Sequence, residues 1–191
     1  MKIRILITIL CFSLFGQVQA QRYLPGMRGI QVTAGTVDGF KLSKQDGQAF
    51  CFEAAMTTYT ANGNRWVLGA EYLQKNYQYG EIYIPVSQFT GEVGHYFKFL
   101  SDKSKTFFLS LGPSLLAGYE TINWGKELLK DGTTIQNKDK FLYGGAITLE
   151  AETYLTDKLV LIVGARERFL PSSSVSDFHF HMNIGMKFII N

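Results

Sequence analysis

From Phe178 to Ile190 the chain sets a large apolar residue at every second position. Phe178, Phe180, Met182, Ile184, Met186, Phe188 and Ile190 alternate with His179, His181, Asn183, Gly185, Lys187 and Ile189. A period of two residues describes a β-strand whose neighbouring side chains point to opposite faces. Here one face is wholly apolar and the other almost wholly polar or glycine. A strand of a soluble sandwich is usually shorter, about 5 or 6 residues. A strand that crosses a bilayer needs about 9 to 11 residues, with apolar side chains facing lipid and an interior that tolerates polar and small ones. The run therefore predicts a membrane-barrel strand.

Seven earlier segments repeat the pattern. Over Gly29 to Thr36, Ile30, Val32 and Ala34 alternate with Gln31 and Thr33. Next, Phe50, Phe52, Ala54 and Met56 alternate with Cys51, Glu53, Ala55 and Thr57, and Asn62-Gly63 supplies a tight hairpin turn. Trp66, Leu68, Ala70 and Tyr72 return opposite Gly69 and Glu71. A fourth, less regular strand over Val86 to Phe97 sets Phe89, Val93 and Phe97 against Gln88, Thr90, Glu92 and Gly94. In the fifth, Phe107, Leu109, Leu111, Leu115, Ala117 and Tyr119 oppose Ser110, Gly112, Ser114 and Gly118, and Pro113 predicts an irregularity because proline donates no ladder hydrogen bond. The sixth opposes Phe141, Tyr143, Ile147, Leu149 and Ala151 to Gly144, Ala146, Thr148, Glu150 and Glu152. The seventh opposes Leu159, Leu161, Val163 and Ala165 to Gly164, Arg166 and Arg168.

The expected fold is thus all-β, a single antiparallel barrel of eight strands. Short turns near Asn62, Asp102 and Asp157 alternate with longer connections near Asp38, Tyr77, Gly132 and Ser173, as periplasmic turns alternate with extracellular loops in outer-membrane barrels. Tyr59, Trp66, Tyr72, Tyr96, Phe97, Tyr119, Phe141, Tyr154 and Phe169 lie near strand ends, where aromatic belts meet the membrane interface.

The amino terminus supports export. Lys2 and Arg4 precede an apolar run from Ile5 to Phe15, followed by Gly16 to Ala20, which is the layout of a secretory signal peptide. Residues 1–20 are read as that signal and residues 21–191 as the barrel domain. Cleavage after Ala20 leaves 191 − 20 = 171 residues, in which 19 − 2 = 17 basic groups face 16 acidic ones. So even a balance provides no clustered basic footprint for direct nucleic-acid binding. Cys51 alone survives processing, so no internal disulfide forms. Beyond the signal no apolar run is long enough for a transmembrane helix.

Candidate chemistry is sparse. His179 and His181 share a face and suit a metal or a proton relay, but the sequence offers no third ligand beside them, and the reading adopted is two polar groups in a lumen. Ser172 to Ser174 or Asp177 with His179 suggests a hydrolase on a barrel rim, yet no motif joins nucleophile, base and orienting group. No catalytic, cofactor or metal residue is assigned, and the chain is not read as an enzyme. Glu53, Glu71, Glu92, Glu150, Glu152, Arg166, Arg168 and Lys187 are read as a charge-paired interior. With the hairpin between the sixth and seventh strands turning at Asp157, Glu150 falls opposite Gly164 and diagonal to Arg166, close enough for long side chains to meet.

Two stretches carry a resemblance. Leu24-Pro25-Gly26-Met27-Arg28-Gly29-Ile30-Gln31 and Leu116-Ala117-Gly118-Tyr119-Glu120-Thr121-Ile122-Asn123-Trp124-Gly125 resemble the TraO family of Bacteroides-type conjugative-transposon transfer proteins. The resemblance spans the mature chain and implies a component of the donor's mating apparatus, with lipid of the outer membrane and other transfer proteins as partners. The family brings no catalytic residues. The terminal Asn191 departs from the aromatic ending common among outer-membrane proteins. Three classes stay open: a structural transfer component, a general small barrel for adhesion or envelope integrity, and a barrel enzyme acting on lipid or peptide.

Overall fold

The computed structural model describes residues 24–39, 48–80, 82–129, 132–135, 139–174 and 176–190. The expected signal peptide lies outside them. Among the described residues the strands are β1 (Arg28–Val37), β2 (Ala49–Tyr59), β3 (Arg65–Tyr79), β4 (Ile82–Ser101), β5 (Phe107–Ile122), β6 (Lys140–Tyr154), β7 (Leu159–Phe169) and β8 (Phe178–Ile189). They join in sequence order into a closed antiparallel barrel, with β8 returning to β1 from Gly29↔Ile189 to Val37↔His181. Closure leaves no barrel wall strand with an unpaired edge.

Burial is inverted relative to a water-soluble protein. Outward positions carry exposed apolar side chains, up to Leu115 at 76 %, whereas the inward glutamates and arginines are buried. Such a continuous apolar surface is unfavourable in water and favourable against lipid. On β4 the outward Phe89 and Phe99 stand ten residues apart, about 34 Å along a strand and about 26 Å along the axis at a tilt near 40°, which matches the height of an outer-membrane apolar band.

Two expectations need correction. The connection near Tyr77 is not a loop: β3 and β4 stay paired to Tyr79↔Ile82 and form a ribbon that continues past the paired ends of β2 and β5. Burial over Asn76 to Tyr79 has no alternation, falling from the half-buried Asn76 and Tyr77 to the exposed Gln78 and Tyr79 as the ribbon leaves the wall, and the mixed polar composition there hid the strand. Gly80, with φ of 59°, makes the turn. The aromatic list also divides. Trp66, Phe97, Tyr119, Phe141 and Phe169 face outward, but Tyr59, Tyr96 and Tyr154 are buried inside the barrel.

The irregularity expected at Pro113 is present on one side. The β4–β5 ladder runs to Gly94↔Ser114 and resumes at Phe97↔Leu111, with a bulge between Lys98 and Leu100. Gly112 lies under the inward Tyr96 ring, and a Cβ there would meet ring atoms at 2.5 Å. At the short-turn end Tyr59, Phe108, Tyr154, Val160 and Ile189 pack into an apolar plug, with Met27 against it.

Candidate functional site

The inward face of every strand delivers polar groups to one shared interior, so the lumen is where any chemistry must lie. Five buried glutamates, Glu53, Glu71, Glu92, Glu150 and Glu152, face Arg65, Arg166, Arg168 and Lys187, and a sixth, Glu120, sits at the long-loop mouth. An unpaired charge in such a space costs several kcal/mol, on the order of 3–5 when a partner is removed. Two networks meet that requirement.

The network nearer the short turns centres on Arg65. Its Nη1 donates to Glu152 Oε2 at 3.1 Å and to Ser110 Oγ at 3.1 Å, and its Nη2 bonds Glu150. Lys187 bonds Glu152 and approaches Glu150 at 3.9 Å, while the Tyr59 hydroxyl donates to Glu152 at 3.0 Å. The second network centres on Arg166. Its Nη1 lies 3.1 Å from Glu71 and 3.6 Å from Glu53, its Nη2 lies 2.7 Å from Glu92, and its Nε donates to Thr148 at 2.9 Å. Nη2 also donates to the Tyr96 hydroxyl at 3.1 Å, and Arg168 donates to Glu71 at 2.7 Å. These forked, charge-assisted bonds hold several strands in one geometry.

At the opposite mouth two carboxylates hold loops down. Asp38, just beyond β1, accepts from Lys75 at 2.6 Å and from the Phe180 N–H at 2.9 Å, with His179 Nδ1 at 3.0 Å. Burial opposes its ionisation, but the bonds from Lys75, His179 and the Phe180 N–H overcome that cost and hold the carboxyl down at about 2. Glu120 accepts from Gln88 at 2.8 Å, Ser173 at 2.8 Å and the Ser174 N–H at 2.9 Å, tying the β7–β8 connection to the wall.

The eight charged residues expected inside are all buried there, and Glu150 does lie opposite Gly164. The expected contact between Glu150 and Arg166 is corrected: Glu150 bonds Arg65, and Arg166 pairs with Glu53, Glu71 and Glu92. Diagonal placement brings two side chains within reach, but the guanidinium of Arg166 is met by carboxylates from β2, β3 and β4 across the lumen. Arg65 was missed because it directly follows the Asn62-Gly63 turn, although it shares its parity with Val67, Leu73 and the other inward residues of β3. Tyr96 was missed for its residue type, since its parity with Glu92 and Gly94 already pointed inward.

The inward placement of His179 and His181 agrees with the lumen reading, yet they are not joined. His179 meets Asp38, and His181 lies 3.7 Å from Glu71, beyond hydrogen-bond distance. Ser173 bonds Glu120, and Ser172 accepts the Tyr143 N–H, so these two of the serines expected beside His179 are committed elsewhere. Among the described residues no three of His, Cys, Asp and Glu are grouped to hold a metal ion.

The family model described as conjugative transposon protein TraO matches residues 24–190, nearly the whole chain. No curated protein matches the sequence. Among solved structures, the attachment invasion locus protein Ail of Yersinia pestis, crystallised with the heparin analogue sucrose octasulfate, is similar at a TM-score of 0.56 and 12 % identity. The match covers 87 % of this chain and 100 % of that one. Neisserial surface protein A is similar at a TM-score of 0.53 and 13 % identity, over 85 % of this chain and 97 % of that one. At such identities the likeness shows the fold alone, a closed eight-stranded antiparallel barrel of the outer-membrane type.

Proposed function

We propose, because the chain belongs to the TraO family of conjugative transposon proteins, that it anchors or stabilises the donor's mating apparatus in the outer membrane and is not itself the DNA channel. In this reading residues 1–20 are the cleaved signal for export, and the partners are membrane lipid and other transfer proteins. The observation that carries it is the filled lumen. Arg65 and Arg166 each bond carboxylates from other strands, and the apolar plug around Tyr59 and Phe108 occupies the short-turn end.

An eight-stranded barrel has an interior just wide enough for its own side chains. A path for DNA needs a basic groove with stacking surfaces. Here glutamates outnumber arginines and lysine inside. Contacts with the apparatus then fall to the rim, the outer wall and the β5–β6 connection, where Trp124 is exposed. That connection also carries Lys126, Glu127 and Asp131, the last outside the described residues. The reading assigns the protein no catalysis: the Ser173 hydroxyl donates to Glu120 and not to His179, so those two form no nucleophile–base pair.

Deleting the gene in donor cells is expected to lower transfer frequency, and deleting it in recipients is not. Equal loss from both deletions would contradict a donor-side component and favour a general envelope role.

A further inference from the structure

The outer wall is not evenly filled. Strand register places Ala54, Ala70, Gly91 and Ala117 side by side across β2 to β5. One level nearer the long loops the same strands carry Phe52, Tyr72, Phe89 and Tyr119, and one level nearer the short turns Met56, Leu68, Val93 and Leu115. Side chains at successive outward positions stand on the same face, so two bulky rows flank a low one. The result is a trough of about 610 Å³ on the outside of the barrel. Four strands at about 4.8 Å spacing make it about 15 Å long. At that level Tyr143 on β6 ends the trough beyond Ala117, and at the other end Val32 on β1 lines it beyond Ala54, with Met186 on β8 behind.

We infer that this trough holds an acyl chain of an outer-leaflet lipid. The inference rests on the outer-membrane reading above. Every outward side chain lining the trough is apolar apart from tyrosine hydroxyls at its rim, and Glu53, Glu71 and Thr90 turn their heads into the lumen. That excludes an occupant with a charge to satisfy.

The level of the trough follows from its rim. Tyr72 and Phe89 stack at 4.9 Å, Trp124 meets Phe89 at 6.4 Å, and the Tyr119 hydroxyl donates to Asp139 at 2.7 Å. Aromatic rings with a polar end belong at the membrane–water interface. The trough lies directly below that row, on the long-loop side of the barrel, and is continuous with the apolar membrane-facing band. Headgroups of the outer leaflet then stand beside the aromatic row, and a chain that passes it turns along the trough, which runs across the tilted strands and so obliquely to the membrane normal. A chain lying in the trough recovers the dispersion contacts that a disordered bilayer leaves partly unmade over a concave surface.

The test is photolabelling of the protein folded into phosphatidylcholine vesicles doped with an analogue that carries a photoreactive group at mid-chain. Adducts are mapped by mass spectrometry, with heat-modifiable gel migration recording the folded barrel. Labelling of β2 to β5 around Ala70 and Gly91 is expected to exceed that around Val163 and Ile184 several-fold. Filling the trough with Ala70→Leu and Ala117→Leu is expected to abolish the excess while migration stays unchanged. Equal labelling of both walls, or an excess that survives filling, overturns the inference. So does efficient disulfide capture of a second copy through Ala70→Cys at low protein-to-lipid ratio, which assigns the trough to self-association. A protein that never enters the vesicles fails at the migration step, and that result overturns the membrane reading itself.

Discussion

The guanidinium of Arg65 on β3 forms a salt bridge with the carboxylate of Glu150 on β6, two strands that share no ladder. The bond ties one side of the lumen to the other, and both side chains are buried. Replacing Arg65 by Met is expected to destabilise the barrel by about 3–5 kcal/mol, because Glu150 and Glu152 lose a buried partner. Adding Glu150→Gln in that background should cost much less than it does alone, whereas Glu150→Gln combined with Arg166→Met should be nearly additive. Urea unfolding in lipid vesicles reads both cycles, and strong coupling of Glu150 to Arg166 in place of Arg65 would contradict the assigned pairing.

Gly112 and Tyr96 form a second testable pair. The Tyr96 ring fills the space that a side chain at position 112 would need, and its hydroxyl accepts from Arg166. Gly112→Ala forces the ring or the strand to move and is expected to cost about 1–3 kcal/mol, the usual penalty of overpacking. In the Tyr96→Ala background the same change should be nearly harmless. An equal penalty in both backgrounds would show that the glycine serves the backbone and not the ring.

The Asp38 latch has a defined pH window. Its folded-state value of about 2 lies below the ordinary 3.8, so its contribution is complete above the ordinary value and fades as pH falls through about 2. Protection of the Phe180 amide, its exchange rate relative to that of an unstructured amide at the same pH, should therefore hold from neutral pH down to about pH 4 and fall on further acidification. Asp38→Asn should show the faster exchange at neutral pH. Indistinguishable protection in the two proteins would remove the latch from the account.

A sealed lumen predicts no large, stable single-channel conductance from the purified monomer. Neutral substitutions among the lumen charges whose heat-modifiable migration shows a folded barrel should leave transfer frequency nearly unchanged, whereas substitutions in the Asn123 to Lys140 segment should reduce it. A steady conductance that changes with the lumen substitutions would replace the anchor by a pore.

A period-two pattern is a local property, and it was enough to place β1, β2 and β5 to β8 within one to three residues of their ends and to separate the inward charges from the apolar wall. It failed where locality fails. The β3–β4 ribbon leaves the wall after Lys75, and without a lipid face to enforce alternation its strand character left no periodic trace. Tyr59, Tyr96 and Tyr154 turn inward because parity governs direction, whatever the liking of tyrosine for an interface.

Along the chain, sequence alone determined which residues share the lumen, since consecutive side chains on a strand must point to opposite faces. Tertiary structure alone decided which of them meet. Partners such as Arg65 and Glu150 are 85 residues apart in the chain and three strands apart in the wall. Only closing the sheet brings them across the lumen, and burial then requires each charge to take the neighbour whose geometry best satisfies it.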